Sequence, residues 1–270
     1  MCYITLYTCL NRLVFENRIV KVKNKKNHME QVNLSGKIAV VTGAGRGIGR
    51  AIALALAYHG TTVIAAARTE SQLKAVVDKI NQSGGTAYSH SFDLADESDI
   101  VSLFAFLDEK FEKLDILINN AGIGLFGQMH EFSTQDLQTL LDVNVRGTYI
   151  CCREGLRCMI PNKSGYIINI SSVVGFKGYP NQSAYTASKH AVVGMTKSLA
   201  VEAQSHNIRV SVIHPGGVDT DLVRNARPEL DPSILIQPED IAHTVMYLLS
   251  LSKQCAVDEI YIRRRGSKPF

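Results

Sequence analysis

From Leu34 onward, short continuous apolar runs alternate with longer stretches whose apolar positions recur at helical spacing. A run that is apolar on both faces suits a strand buried inside a parallel sheet, and strands alternating with helices are the sequence mark of βαβ units. The pattern predicts strands over residues 37–42, 61–66, 86–92, 115–119, 166–170, 208–213 and 257–262. It predicts helices over 47–59, 70–82, 97–111, 134–145, 147–159, 183–205 and 238–249, with Ser83-Gly84-Gly85 turning the chain after the second. The expected fold class is therefore α/β: one doubly wound parallel sheet of about seven strands with helices on both faces.

Composition narrows this picture. With 270 residues and 46% hydrophobic content, the chain can bury a sizeable core, and a single domain over residues 29–270 is the preferred reading. Residues 1–28 differ from the rest: an apolar stretch broken by Arg12, Glu16 and Arg18 leads into a basic run from Lys21 to His28. They read as an extension the fold does not need, with a membrane-surface or transit segment as the alternative. Their apolar runs are too short to span a bilayer. The net charge of +4 is small, and neither the basic N-terminal run nor Arg263-Arg264-Arg265 resembles a nucleic-acid stripe interleaved with aromatics. The six cysteines show no CxxC pair and no metal-ligand spacing, so they read as free thiols of a reducing cytoplasm, with no metal expected.

The chemistry gathers at three places. Between the first strand and its helix lies Thr42-Gly43-Ala44-Gly45-Arg46-Gly47-Ile48-Gly49, a glycine-rich turn that lets backbone N–H groups and a helix N-terminus approach a pyrophosphate, as in Rossmann-type sheets. At the end of the second strand, Ala66-Ala67-Arg68 offers no carboxylate for a ribose 2′-hydroxyl, while Arg68 and Arg46 offer two guanidiniums to a 2′-phosphate, which favours NADP(H) over NAD. In Ser183-Ala184-Tyr185-Thr186-Ala187-Ser188-Lys189, Tyr185 and Lys189 share one helix face. A hydride-accepting carbonyl also needs a proton, and an ammonium near a phenol favours the phenolate, so Lys189 is expected to lower the Tyr185 pKa.

With Asn119-Asn120-Ala121-Gly122, Asn144, Ile170-Ser171-Ser172 and Pro215-Gly216 with Thr220, these motifs make the chain resemble the short-chain dehydrogenase/reductase family over residues 34–251. Within that family it is most similar to bacterial 3-oxoacyl carrier-protein reductases, chiefly over 43–49 and 167–189. The resemblance implies an NADP(H)-dependent oxidoreductase reducing a ketone to a secondary alcohol. Ser172 would hold the substrate oxygen and Tyr185 would be the general acid/base. Lys189 would also bind the nicotinamide ribose, and Asn144 would fix a water that relays protons to Lys189. For Asn144, a helix-bending bond to the backbone is the other reading. Cofactor contacts would come from Gly43, Gly45, Arg46, Gly47, Ile48, Gly49, Arg68, Asp93, Asn120, Gly122, Tyr185, Lys189, Pro215, Gly216, Val218 and Thr220. Ser171 finishes the strand, Asn119 ties strands together, and His214 has no place in the family chemistry. The resemblance also implies a homotetramer or dimer built on the helices around 147–159 and 185–205.

Specificity is expected in residues 217–237, where Arg224, Arg227, Pro228 and Pro232 interrupt a helical pattern in the manner of a lid. The stretches 125–130 and 174–179 would form the other walls, with Phe126, Phe176 and Tyr179 lining a partly apolar pocket or packing elsewhere. The ending departs from the resemblance: the last strand runs into Arg263-Arg264-Arg265-Gly266 where many such reductases carry a glycine pair. That leaves open an acyl-carrier substrate against a small diketone or sugar alcohol. The arginines could dock an acidic partner, pair with a neighbouring subunit, or form a solvated tail. A non-enzymatic NADP-binding sensor is the other class of function, and intact catalytic residues count against it.

Overall fold

A computed structural model describes residues 32–269, so the expected extension over 1–28 lies outside the described residues. The sheet has seven parallel strands in the order β3-β2-β1-β4-β5-β6-β7. These are β1 Ile38–Thr42, β2 Thr62–Ala67, β3 Thr86–Ser91, β4 Ile116–Asn119, β5 Gly165–Ile170, β6 Ile208–Pro215 and β7 Glu259–Ile262. Every residue of β1 and β4 is buried, as strands covered on both faces must be, whereas the edge strand β3 alternates towards solvent. Register is continuous from Ile38 opposite Thr62 and Ala39 opposite Ile116 out to Pro215 opposite Ile262.

Eight α-helices complete the described fold: α1 Gly47–Tyr58, α2 Glu70–Gln82, α3 Glu97–Phe111, α4 Thr134–Leu141, α5 Thr148–Met159, α6 Ser183–Gln204, α7 Asp221–Ala226 and α8 Pro238–Ser250. Packing of α1 against α2 and α8, and of α3 and α6 against α5, forms two helical layers around the sheet. In α3 the buried positions Ile100, Leu103, Phe104 and Leu107 recur at helical spacing and meet Leu117 and Ile167 of the strands in the main core. Asp96 caps α3 by accepting from the Ser98 N–H at 2.8 Å, and Ser133 caps α4 by accepting from Asp136 N–H at 3.0 Å.

Three departures from the sequence expectation have local causes. The helices expected over 134–145 and 147–159 run on as one, joined by a π-helical segment, Asp142–Gly147. Asn144 lies in it, and its amide bonds both backbone groups of Ile123, a tertiary anchor that favours the wider turn. The lid region holds the short α7 and a 3₁₀ turn at Pro232–Ile234, both too brief to leave a periodic signal. β6 runs two residues further than expected because β7 pairs with it as far as Pro215. Among the described residues, no helix is long and apolar enough to cross a membrane.

Candidate active site

The strand order reverses between β1 and β4, and the carboxyl ends of the strands open there into a cleft of about 520 Å³. At its β1 end the turn is held from below. Thr42 Oγ1 donates to Ile118 O at 3.3 Å and accepts from the Asn120 and Ala121 N–H groups, each at 3.0 Å. Asn120 Nδ2 donates to Thr42 O at 3.0 Å, so Asn120 braces the turn as well as lining the cleft. Gly43 has φ +66°, and a Cβ on Gly49 would stand 2.2 Å from the Gly43 carbonyl oxygen. The turn therefore needs glycine at both ends, and it leaves the first N–H groups of α1 with no side-chain cap and no acidic neighbour. Such a cradle fits a dinucleotide pyrophosphate.

Two cations flank this end. Arg46 pairs with Asp221 of α7 at 2.9 Å, both side chains being exposed. Arg46 lines the cleft, and the carboxylate that holds it comes from 175 residues further along the chain. Arg68, beyond β2, lines the cleft with no side-chain partner among the described residues, and fits the 2′-phosphate role. Asp93 lines the same end and accepts from the Ala95 N–H at 2.9 Å.

The floor lies where β5 ends and α6 begins. Ser172 leaves β5 in extended conformation, and its Oγ accepts from Val174 N–H at 3.3 Å. Tyr185 and Lys189 occupy the first two turns of α6, both less than a tenth exposed. The Ser172 hydroxyl faces the Tyr185 phenol and favours its ionised form, and the Phe126 ring meets Tyr185 edge-on at 5.3 Å. Lys189 Nζ donates to Ile170 O at 3.2 Å and stands 5.8 Å from the Tyr185 ring centroid.

This geometry reverses one expectation. Burial pushes the Tyr185 phenol up to about 12, against a smaller downward pull from Ser172, and pushes Lys189 down to about 8. Lys189 does not lower the phenol's pKa here, because both groups are desolvated and its ammonium is directed to the Ile170 carbonyl.

Behind the floor a second set of bonds fixes these side chains. Asn144 accepts from Ile123 N–H at 2.9 Å and donates to Ile123 O at 2.9 Å and to Ser188 Oγ at 3.1 Å. Ser188 in turn donates to Tyr185 O at 2.8 Å. Ser171 Oγ donates to Lys189 O at 3.1 Å, so it anchors the helix, and Asn119 Nδ2 bonds Asn169 Oδ1 at 2.9 Å, linking β4 to β5. His214 is buried between the Ser172 carbonyl and Glu259, each 3.2 Å from a ring nitrogen, and Glu259 also pairs with Lys197 at 2.8 Å. Desolvation lowers the His214 pKa, which favours the neutral imidazole.

Of the eighteen residues expected at the site, sixteen line the cleft, Gly122, Pro215, Gly216, Val218 and Thr220 among them; Gly49 and Asn144 do not. Gly49 is pressed behind the turn, and Asn144 stands behind the wall, reaching it through Ile123 and Ser188. Phe176 is also absent from the lining, being 55% exposed and packed on Tyr261, whereas Phe126 and Tyr179 do line it. Sequence reasoning missed Thr42, Ser188 and the bidentate pair of Arg224 with Asp219 at 2.7 and 2.9 Å. The first two lie inside motifs already recognised; the third had no signal beyond opposite charges five residues apart.

The model of the short chain dehydrogenase family matches residues 37–231. A 3beta-hydroxysteroid dehydrogenase of Mediterraneibacter gnavus is 40% identical over 195 residues, 72% of this chain and 70% of that protein. A 3-oxoacyl-[acyl-carrier-protein] reductase of Synechocystis is 38% identical over 221 residues, 80% of this chain and 90% of that protein. Among solved structures, a metagenomic short-chain oxidoreductase in complex with NADP superposes with TM-score 0.77 at 36% identity, covering 87% of this chain and all of that one. An alcohol dehydrogenase of Thermococcus sibiricus, complexed with 5-hydroxy-NADP, gives TM-score 0.81 at 28% identity, covering 87% of this chain and 99% of that one.

Proposed function

This chain belongs to the short-chain dehydrogenase family, and we propose that it is an NADP(H)-dependent reductase that converts a ketone, foremost a 3-oxoacyl thioester, to a secondary alcohol. The observation that carries the reading is the buried Tyr185 phenol beside Ser172 and Lys189, at the floor of a cleft whose other end is a pyrophosphate cradle.

Bound NADPH supplies the hydride that the carbonyl carbon accepts. The chain's own groups manage the oxygen and its proton. Ser172 Oγ donates a hydrogen bond to the carbonyl oxygen and holds it against the phenol. Tyr185, protonated up to about pH 12, gives its proton to that oxygen as negative charge develops there. Lys189, charged below about pH 8 and lining the cleft beside Tyr185, would bind the nicotinamide ribose hydroxyls of the cofactor. Asn144 is a positioning residue: through Ser188 it fixes the backbone carrying Tyr185.

The thioester reading draws on the Synechocystis relative and on the match over residues 167–189. Its test is loss of NADPH absorbance with the purified chain against an acetoacetyl thioester, a small diketone, a keto sugar and a 3-ketosteroid. Turnover of the thioester at least tenfold above the others is expected. Preference for another ketone would replace the substrate and keep the chemistry; no turnover of any would favour the sensor. The expected homo-oligomer would use the outward faces of α5 and α6, where Tyr149 and Val201 are exposed, and a monomeric mass in solution would dismiss it.

A further inference from the structure

Eight lysine and arginine side chains line the cleft against three aspartates. Two of those aspartates, Asp219 and Asp221, are already bonded to Arg224 and Arg46. Arg227 pairs with Glu229, and Arg263 Nη1 donates to the carbonyls of Arg264, Arg265 and Ser267 at 3.3, 3.1 and 2.7 Å. Among the described residues, the two guanidiniums of the cleft left without a hydrogen-bond or ion-pair partner are Arg68, beyond β2, and Arg264, beyond β7.

These two cannot serve the same anion. In the sheet order, β2 and β7 are five steps apart, roughly 24 Å at the usual strand spacing. Arg68 lies beside the glycine turn of β1, where the cofactor's phosphates belong. Arg264 lies at the opposite edge, over Gly217, where an added Cβ would be 3.4 Å from its Cδ and Nε. Its place is fixed rather than loose: Gly216 N–H donates to Ile262 O at 2.7 Å, locking the ends of β6 and β7, and Arg263 folds the tail behind it. The three consecutive arginines are therefore not one solvated tail. Arg263 is consumed by backbone carbonyls, Arg265 is exposed, and Arg264 is half-buried and faces the cleft. A partly desolvated guanidinium without a partner gains from a bidentate oxyanion.

We infer that Arg264 binds an oxyanion carried by the substrate itself, a phosphate or a carboxylate set apart from the reacting carbonyl. The inference rests on the ketone reduction proposed above and narrows its substrate to anionic ketones and thioesters.

The test reads binding, so it does not depend on turnover. Full-length protein saturated with NADP⁺ is titrated calorimetrically with phosphopantetheine against pantetheine, and with 4-oxopentanoate against 2-pentanone. At least one anion should bind tenfold or more tightly than its neutral counterpart. The pair that shows the preference tells phosphate from carboxylate. The preference should fall below twofold in Arg264→Gln, persist in large part in Arg264→Lys, and weaken in the wild type between 50 and 500 mM salt. NADP⁺ affinity should stay within twofold in both variants. Equal binding of charged and neutral partners by the wild type, a preference that survives in Arg264→Gln, or a tenfold loss of NADP⁺ affinity in that variant would each overturn the assignment. Absence of NADPH turnover, by contrast, would strike the ketone reading while this binding result stood.

Discussion

At the floor of the cleft, Tyr185, Lys189 and Asn144 are nearly dry and tied through backbone groups of β5, α6 and the loop after β4. Along its mouth, α7 and the turn at Pro232–Ile234 bury no residue and are bordered by surface ion pairs, Asp219 with Arg224 and Arg227 with Glu229. In the floor, desolvation moves pKa values by whole units, keeping the Tyr185 phenol protonated and penalising the Lys189 ammonium. In the mouth, the charges are screened and worth little to stability. The floor can fix one reaction; the mouth can change its partner without disturbing the fold.

The largest expected effect outside Tyr185 is at Lys189. Lys189→Met should lower kcat/KM about 10³-fold, yet make the protein more stable at pH 7. The folded-state pKa of Lys189 is depressed from 10.5 to about 8, so the unfolded chain binds more protons between those values. The penalty of burying the charged ammonium is therefore full below pH 8, shrinks as pH rises and is gone above about 10.5. Removing it should be worth about 2 kcal/mol at pH 7 after the lost bond to Ile170 O is discounted. Thermal melts at pH 7 and pH 10 check this; a lower Tm in the variant at pH 7 would contradict it. The wild-type rate of ketone reduction should also fall as pH rises through about 8, where Lys189 loses its charge.

Next is Ser172→Ala, expected to cost about 10²-fold in kcat by removing a donor to the developing oxyanion. NADPH affinity, followed by fluorescence, should stay unchanged. Arg68→Ala should weaken NADPH binding about tenfold and leave NADH binding as it was. Smallest is the mouth: Arg224→Ala should shift substrate KM by about two- to threefold, with kcat and Tm unaltered. A 10²-fold loss there would erase the distinction between floor and mouth.

Much of the cleft was legible because motif and geometry coincide. Thr42 to Gly49 needs glycine for contacts within the turn itself, and Tyr185 and Lys189 meet simply by being four residues apart on a helix. What stayed hidden depends on distant partners. The π-helical segment carries the same apolar pattern as an ordinary helix and is selected by the Asn144 bonds to Ile123, 21 residues earlier. Arg46 meets Asp221 only once β1 and α7 are folded, and Phe176 turns outward although it neighbours the site in sequence. The direction of the Tyr185 shift was misread because spacing reports proximity of a cation, whereas burial of both groups decides the sign.

The most direct test is NADPH consumption by the wild type and by Tyr185→Phe with an acetoacetyl thioester at pH 7, after NADPH binding to both has been verified by fluorescence. The expected result is a loss of at least 10³-fold in kcat/KM with cofactor affinity within twofold. A Tyr185→Phe rate within tenfold of the wild type would contradict the assignment of this phenol as the proton donor.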